Sequence, residues 1–185
     1  MLNAIPRLET ERLILRGPAE QDVEPTIAFL MDPTRSEGFG TEPNRSRAWR
    51  WFAMNLGHWA LRGYGYFIIE DKASSLPCGL VGIWAPEGWP EPELGYVVFD
   101  GFEGRGIAYE AAIRAREWAY TDLGLDSLGS HIVPGNARSI ALAERMGARY
   151  ERTYTNPYMG EDMIYRHPSP AELGLAAAGA KEGRG

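Results

Sequence analysis

The sequence contains few of the residues that form covalent cross-links or bind metals. It has one cysteine, Cys78, and three histidines in 185 residues. A single cysteine cannot form a disulfide within the chain, so nothing here favours an oxidising compartment. Because the cysteine and the histidines show no metal-ligand spacing, we expect no metal site.

The chain also lacks long apolar segments and runs of one charge. No stretch approaches the ~18 apolar residues of a membrane span, and the N-terminus lacks the charged-then-apolar order of a signal peptide. The net charge is −6, without a basic stripe that could neutralise nucleic-acid phosphates. The sequence therefore predicts a cytoplasmic protein that binds neither a membrane nor nucleic acid.

The apolar content is what one domain needs. Residues of apolar type make up 44% of the chain and aromatic residues 11%. A chain of this length can bury one sizeable core but is too short for two. We expect a single domain over residues 1–168, followed by a flexible C-terminal tail over residues 169–185 that is rich in alanine, glycine and charge.

The order of predicted elements is typical of a mixed α/β fold. A strand that ends at Arg16 precedes two helices, and three strands on short loops follow, which favours antiparallel pairing. A third helix, a strand, a fourth helix and two last strands complete the order. The helices are predicted over 20–31, 46–63, 108–120 and 137–146, and the later strands over 64–70, 79–84, 93–99, 127–133, 149–154 and 162–166.

Three glycines, Gly101, Gly104 and Gly106, lie between a predicted strand and a predicted helix. In such a loop several backbone N–H groups face one point at a helix N-terminus, where the dipole adds roughly half a positive charge. The loop therefore predicts an anion site. The dinucleotide pattern G-x-G-x-x-G is not met, because Tyr109 stands three residues after Gly106, and no Gly-Lys-Ser/Thr of a P-loop follows.

The sequence around this loop resembles that of the GNAT acetyltransferases, and most of all the RimJ/RimL branch. Residues 93–99, Glu-Leu-Gly-Tyr-Val-Val-Phe, are similar to the fourth strand of that family, and residues 104–111 to its pyrophosphate loop. The loop pattern is Q/R-x-x-G-x-G/A, in which Gly106 and Ala108 match. Glu103 replaces the usual Gln or Arg, and because a carboxylate would repel a pyrophosphate, we expect its side chain to point away.

The resemblance covers residues 8–167, with further matches at 8–16, 136–139 and 146–147. It implies an α/β fold of the α+β type, with a mixed, twisted sheet of six to seven strands flanked by about four helices. The fourth and fifth strands would splay apart around the pantetheine arm of acetyl-CoA, the implied co-substrate. The implied cofactor-binding residues are Val97, Val98, Phe99, Gly104, Arg105, Gly106, Ile107, Ala108, Tyr109, Asn136 and Ser139.

The same resemblance implies the residue that accepts the proton of the attacking amine. Glu93 stands where several family members place a general base, although it could equally be a solvated carboxylate at a strand end. Glu87 and Glu91 on the preceding loop are alternatives, less favoured because a loop holds a base less well than a strand.

The remaining chemical roles are assigned in the same way. A backbone N–H of Val97 or Val98 would polarise the thioester carbonyl. Many relatives carry a tyrosine as proton donor where this chain has Ala143, so Ser139 is the implied replacement, or simply a first-turn serine of its helix. Asn136 would hold the pantetheine amide and cap the same helix.

Aromatic residues cluster in the segments that would form the acceptor pocket. Phe39, Trp84 and Trp89 are predicted to contact the acceptor, since aromatic faces attract amines. For Trp51 and Trp59 we favour packing in the core, whereas Trp49 could either line the pocket or pack in the core. Two tyrosines, Tyr154 and Tyr158, are alternative acids or acceptor contacts, and His131 is interpreted as structural.

Together these features predict an N-acetyltransferase that transfers acetyl to a primary amine by direct attack in a ternary complex. Cys78 lies in an apolar run and is a poor nucleophile for a two-step route. The acceptor is a protein N-terminal amine or a small amine, and a homodimer is left open. Glu103 and Ala143 keep a non-catalytic acyl-CoA-binding regulatory domain as the alternative, and a dinucleotide-dependent oxidoreductase is disfavoured by Tyr109.

Overall fold

The structure is a computed structural model and describes residues 4–175. Eight strands in this part of the chain form one mixed sheet. The spatial order is β1-β2-β3-β4-β5-β6-β8-β7. Within these residues every neighbouring pair is antiparallel except β5 and β6, which run parallel. The strands are β1 (Leu8–Glu9), β2 (Leu13–Arg16), β3 (Tyr66–Asp71), β4 (Leu76–Trp84), β5 (Glu93–Val98), β6 (Gly129–Ile132), β7 (Arg149–Asn156) and β8 (Gly160–Arg166).

Five α-helices accompany the sheet in the described part of the chain. They are α1 (Val23–Met31), α2 (Pro33–Ser36), α3 (Arg45–Arg62), α4 (Ile107–Thr121) and α5 (Ala137–Arg145), with a short 3-10 turn before α1. No helix between residues 4 and 175 is both long and apolar enough to cross a membrane.

The predicted fold class is confirmed, but the predicted number of strands is too low. The extra strand is β1, whose two residues pair with β2. Such a short segment has no alternation that a sequence pattern could detect. The strand called fourth above is therefore β5 here.

The helix α2 is also absent from the sequence prediction, which placed a helix end at Asp32-Pro33. Instead, the Asp32 carboxylate accepts hydrogen bonds from the N–H groups of Thr34 and Arg35 at 3.0 and 3.2 Å, and Pro33 occupies the first turn. An acidic cap followed by proline starts a helix as readily as it ends one.

The two larger apolar cores lie on opposite faces of the sheet, and a third, smaller one lies between α5 and the last strands. On one face, α4 packs its small residues Ala111, Ala112, Ala115 and Ala119 against the strands, and all four are fully buried. These residues lie in the helix predicted over 108–120, and their small side chains let the helix approach the sheet closely. On the other face, α1 and α3 pack over β3, β4 and the end of β5.

The parallel strands β5 and β6 separate almost at once. Their pairing among the described residues is limited to Glu93 opposite Gly129. Beyond it, side chains replace the missing ladder: the backbone N–H of His131 donates to Glu93 Oε2 at 3.2 Å, and Ser130 Oγ donates to the carbonyl oxygen of Leu94 at 2.8 Å. The predicted splay is therefore confirmed, and polar side chains close its narrow end.

A buried polar chain supports Ser130 at this end. His167 Nε2 lies 2.9 Å from Ser130 Oγ, and His167 Nδ1 lies 3.3 Å from Arg116, which donates to the carbonyl oxygen of Met146 at 2.7 Å. Burial lowers the pKa of His167 to about 3, so the ring is neutral and accepts from Arg116 while donating to Ser130. This series of hydrogen bonds thus fixes β6 against α4.

The segment after β8 is packed against the domain. Tyr120 in α4 donates to the carbonyl oxygen of Pro168 at 2.9 Å, and Leu173 and Leu175 contact the core under α4. The predicted flexible tail over 169–185 therefore begins with packed residues as far as 175. Residues 176–185 lie outside the described part of the chain.

Candidate active site

A cavity of about 690 Å³ opens on the α1 and α3 face of the sheet, beside the point where β5 and β6 separate. The predicted acceptor residues Phe39, Trp84 and Trp89 all line it. Trp51 packs against the core on this face, as expected, and also lines the cavity. Trp59 is buried in the core as expected. The other main lining residues are Glu42, Arg47, Arg50, Met54, Tyr66, Glu93, Tyr96, His131, Ser139, Tyr158 and Asp162.

Aromatic rings form one continuous wall of this cavity. The centroid of the Trp51 ring lies 5.2 Å from that of Phe39 and 5.9 Å from that of Trp84. The Tyr66 ring centroid lies 5.3 Å from that of Phe39 and 5.3 Å from that of Trp84. His58 stacks on Trp84 at 4.3 Å from the outer side. Such a wall favours an apolar or cationic guest, because aromatic faces attract ammonium groups.

Glu93 lies at the inner end of the cavity, which two other acidic residues, Glu42 and Asp162, also line. Its carboxylate accepts from Trp89 Nε1 at 3.0 Å and from the backbone N–H of His131 at 3.2 Å, and only 8% of the residue is exposed. Burial raises the pKa of Glu93 to about 8, with Asp162 adding to the rise and the two N–H donors opposing it. A carboxyl group with a pKa near neutral pH is suited to accept and release protons.

The two alternative carboxylates do not line the cavity. Glu91 forms an ion pair with Arg166, with contacts of 2.5 and 2.7 Å. The side chain of Glu87 is 99% exposed. Neither is therefore placed to receive a proton from a molecule in the cavity. The prediction that Glu87 or Glu91 could replace Glu93 as the base is thus not supported.

A buried polar cluster lies behind Glu93. His131 Nδ1 is 2.8 Å from the Tyr154 hydroxyl and 3.6 Å from Glu93 Oε2, and burial lowers the pKa of His131 to about 4. Asn156 Nδ2 donates to Asp162 Oδ2 at 2.7 Å and to the Tyr154 oxygen at 3.2 Å. His131 is thus a neutral member of a hydrogen-bonded network beside Glu93.

Backbone N–H groups also face the gap between β5 and β6. The N–H of Phe99 donates to the carbonyl oxygen of Cys78 on β4 at 2.9 Å. Because N–H directions alternate along a strand, the N–H of Val97 also faces β4, whereas those of Tyr96 and Val98 face the gap. Of the two predicted donors to the thioester carbonyl, Val98 therefore directs its N–H towards the gap, and Val97 directs its N–H towards β4.

The glycine loop opens directly onto the N-terminus of α4. Gly101, Gly104 and Gly106 have φ angles of +80°, +72° and +77°, a left-handed conformation that glycine adopts without strain. A Cβ atom on Gly101 or Gly104 would meet no atom within 4 Å, so an anion can approach the backbone there. Arg12 donates to the carbonyl oxygen of Arg105 at 2.9 Å and holds the loop in place. Loop and helix end therefore fit a phosphate group.

The start of α5 faces the same gap. Asn136 is the N-cap, with its Oδ1 accepting from the N–H of Ser139 at 3.2 Å, and Ser139 lines the cavity. The Tyr96 hydroxyl crosses the gap and donates to the carbonyl oxygen of Ser139 at 3.1 Å. Burial raises the pKa of Tyr96 above its ordinary value. Tyr96 is a hydroxyl that sequence reasoning missed, since only the splay brings it to this gap.

Three further positions bear on the predicted chemistry. Glu103 forms an ion pair with Arg35 of α2. Cys78 is fully buried in β4, and burial raises the pKa of its thiol to about 12, so it is not a nucleophile at neutral pH. Among residues 4–175 no group of three or more acidic, histidine or cysteine side chains could hold a metal ion.

Comparison with known proteins gives the family. An acetyltransferase (GNAT) domain model matches residues 12–149. The chain is similar to a solved acetyltransferase from Agrobacterium tumefaciens str. C58, with 35% identity, a TM-score of 0.82 and coverage of 91% of this chain and 97% of that chain. It is also similar to the Bacillus subtilis protein YkkB, at 27% identity over 155 residues, or 82% of this chain and 90% of that protein.

A third similarity is to a structure of spermidine N-acetyltransferase from Vibrio cholerae in complex with CoA and spermine. It has 18% identity, a TM-score of 0.72 and coverage of 88% of this chain and 98% of that chain, and it supports the fold alone. The family model spans well over half of the sequence. The chain therefore belongs to the GNAT acetyltransferases and is an N-acetyltransferase that uses acetyl-CoA.

Proposed function

We propose that this enzyme transfers acetyl to a primary amine by direct attack in a ternary complex, with Glu93 as the general base. The observation that carries the proposal is the position of Glu93. Its buried carboxyl lies at the inner end of an aromatic cavity and at the narrow end of the gap between β5 and β6. An amine in the cavity would meet the base beside the groups that face this gap.

The donor side of the proposal uses the loop before α4. Acetyl-CoA supplies a thioester, whose carbonyl carbon is the electrophile. The N–H groups from Gly104 to Ala108 at the α4 N-terminus would bind its pyrophosphate. In the gap, the side-chain amide of Asn136 would hold the pantetheine, and the N–H of Val98 would bind the carbonyl oxygen as it gains negative charge.

The protons move between named groups. The amine attacks in its neutral form, and Glu93 accepts the proton that the nitrogen loses as the new C–N bond forms and the C–S bond breaks. The leaving sulfur takes a proton from a hydroxyl in the gap. Ser139 is the first candidate by resemblance. Tyr96 is a second, because its hydroxyl crosses the gap, where it lies 3.1 Å from the Ser139 carbonyl oxygen.

The chemistry of the cavity limits the acceptor. An aromatic wall formed by Trp51, Trp84 and Tyr66 lies opposite an acidic inner end, which favours an amine on an apolar or aromatic body. The likeness to the RimJ/RimL branch adds the N-terminal amine of a protein as a candidate. Peptides with apolar N-terminal residues, aromatic amines and polyamines therefore form the panel for a first assay.

The test is the activity of Glu93→Gln, measured as release of CoA over a range of pH. The parent rate should rise as Glu93 loses its proton near pH 8, since only the ionised carboxylate accepts a proton. The variant should lose this rise and turn over roughly 100- to 10,000-fold more slowly, with acetyl-CoA affinity unchanged by calorimetry.

Glu87→Gln is the matched control, because this exposed carboxylate lies outside the cavity lining and its loss should leave the rate unchanged. An unaltered pH profile in Glu93→Gln would remove Glu93 from its role. Binding of acetyl-CoA without turnover of any amine in the panel would instead support the regulatory alternative.

A further inference from the structure

Arg35 on α2 joins the end of β5 to the loop that precedes α4. Its Nη1 lies 2.9 Å from the Asp100 carboxylate, and its Nη2 forms an ion pair with Glu103. The same Nη2 lies 3.4 Å from the carbonyl oxygen of Val98. One guanidinium thus contacts two acidic residues and the last residue of β5.

The guanidinium is held in this position by its surroundings. The side chain of Arg35 is only 23% exposed, although both of its acidic partners lie nearer to the solvent. Within residues 4–175 its buried Nε has no hydrogen-bond partner, so the guanidinium is held through its two Nη groups. A planar fork with several donors can satisfy two carboxylates at once, which a lysine ammonium does less well.

The two carboxylates lie next to the site proposed for the pyrophosphate. Asp100 and Glu103 are both within seven residues of Ile107, the first residue of α4. Without a cation beside them, they would place two negative charges next to the helix end that must attract a third. Glu103 stands where the family pattern has Gln or Arg, so this chain needs a compensation that its relatives with a neutral or basic residue do not.

We propose that Arg35 is a positioning residue for cofactor binding, which holds Glu103 and Asp100 away from the N-terminus of α4 and offsets their charge. This inference rests on the proposed placement of the pyrophosphate at that loop. Arg35 itself touches neither the acetyl group nor the amine. Its effect should therefore fall on the affinity for the anionic part of CoA and not on the rate at saturation.

The experiment compares two ligands by calorimetric titration: CoA, and pantetheine, which lacks the pyrophosphate. Arg35→Gln should weaken CoA binding about tenfold, because the Glu103 and Asp100 carboxylates are then uncompensated. Binding of pantetheine should not change. The turnover number at saturating acetyl-CoA should stay at the parent value, while the KM for acetyl-CoA rises with the Kd for CoA.

Removal of the repelling carboxylate should reverse the effect. The double variant R35Q/E103Q should regain most of the lost CoA affinity, whereas E103Q alone should bind CoA at least as tightly as the parent. Arg45→Gln is the matched control, since Arg45 pairs with Glu24 at an exposed site on α3 and should affect neither ligand. A merely structural role for Arg35 would not give rescue by a second substitution at residue 103.

Each outcome decides the inference. Equal weakening of CoA and pantetheine in R35Q, or no rescue in R35Q/E103Q, would overturn it. If R35Q does not fold, Arg35→Lys takes its place, and it should weaken CoA binding about threefold with pantetheine unaffected, because an ammonium reaches both carboxylates poorly. Parent-like CoA binding by Arg35→Lys would then contradict the proposal.

The placement of the pyrophosphate is tested separately with the parent protein and Gly104→Val. If the parent binds CoA no more tightly than pantetheine, the placement itself fails, whatever Arg35 does. If Gly104→Val loses CoA affinity but R35Q does not, the placement stands and only the role of Arg35 is wrong.

Discussion

At the scale of single residues, Glu93 combines two opposed properties. Its burial raises the pKa to about 8 from an ordinary value of 4.5. The folded state therefore favours the protonated carboxyl, and this contribution to stability is full below pH 4.5 and lost as the pH rises towards 8. The carboxyl that suits the reaction thus weakens the fold at the pH where it is ionised.

This opposition predicts the pH dependence of stability. Gln cannot ionise, so the melting temperature of Glu93→Gln relative to the parent should rise between pH 5 and pH 9. Thermal unfolding at a series of pH values measures this difference directly. Glu87→Gln should show no such trend, and a difference for Glu93→Gln that is constant with pH would contradict the raised pKa.

Sequence reasoning named several residues of the candidate site. Phe39, Trp84, Trp89 and Glu93 line the cavity, and Asn136 caps its helix as expected. It missed Asp162, and it named Tyr154 without predicting the contact between the two, because that contact depends on strand register. Asp162 and Tyr154 meet because β7 and β8 pair at these residues, and no local pattern encodes that pairing.

At the scale of elements, two glycines should respond to substitution in opposite directions. Gly57 lies inside α3, where a Cβ atom would meet nothing within 4 Å. Gly57→Ala should raise the free energy of unfolding by about 0.5–1 kcal/mol, because alanine loses less backbone entropy in a helix. Urea denaturation of the variant and of the parent protein measures this difference.

Gly82 in β4 is the counterpart. A Cβ atom there would lie 2.0 Å from the carbonyl oxygen of Gly65, which is backbone and cannot rotate away. Gly82→Ala should therefore lower the free energy of unfolding by roughly 3 kcal/mol, the upper range for overpacking. If both variants were destabilised alike, the difference in space at the two positions would not be the cause.

Elements with strong periodicity were predictable and short ones were not. The alanine spacing of α4 and the glycine loop before it gave a helix over residues 108–120, close to Ile107–Thr121. By contrast, α2 and β1 contain four and two residues. Elements of this length depend on capping and on neighbouring strands for stability, so their own sequence carries little signal.

At the scale of the whole molecule, the sheet consists of two parts that meet at one backbone pair. The strands β6, β8 and β7 pack with α5 on a small apolar core of Ile132, Ala143, Ala148 and Tyr165. The strands β1 to β5 share the two larger cores. The smaller part should therefore open at a lower free energy than the rest.

Hydrogen exchange followed by mass spectrometry tests this difference. Amides of β7 and β8 should exchange faster than those of β3 and β4 in the free protein. CoA bound in the gap would contact both parts, so it should slow exchange in the smaller part more than in the larger. Equal protection of all strands in the free protein would show that the sheet unfolds as one unit.

The buried Cys78 has a practical consequence. It is the sole cysteine in the sequence, it has no exposed surface, and its thiol has a pKa of about 12. Since disulfide and maleimide reagents are attacked by the thiolate and not by the thiol, the folded enzyme should give almost no background with them. A dye that detects product sulfhydryls can then be read without correction for protein, and a cysteine introduced on the surface would be the only point of labelling.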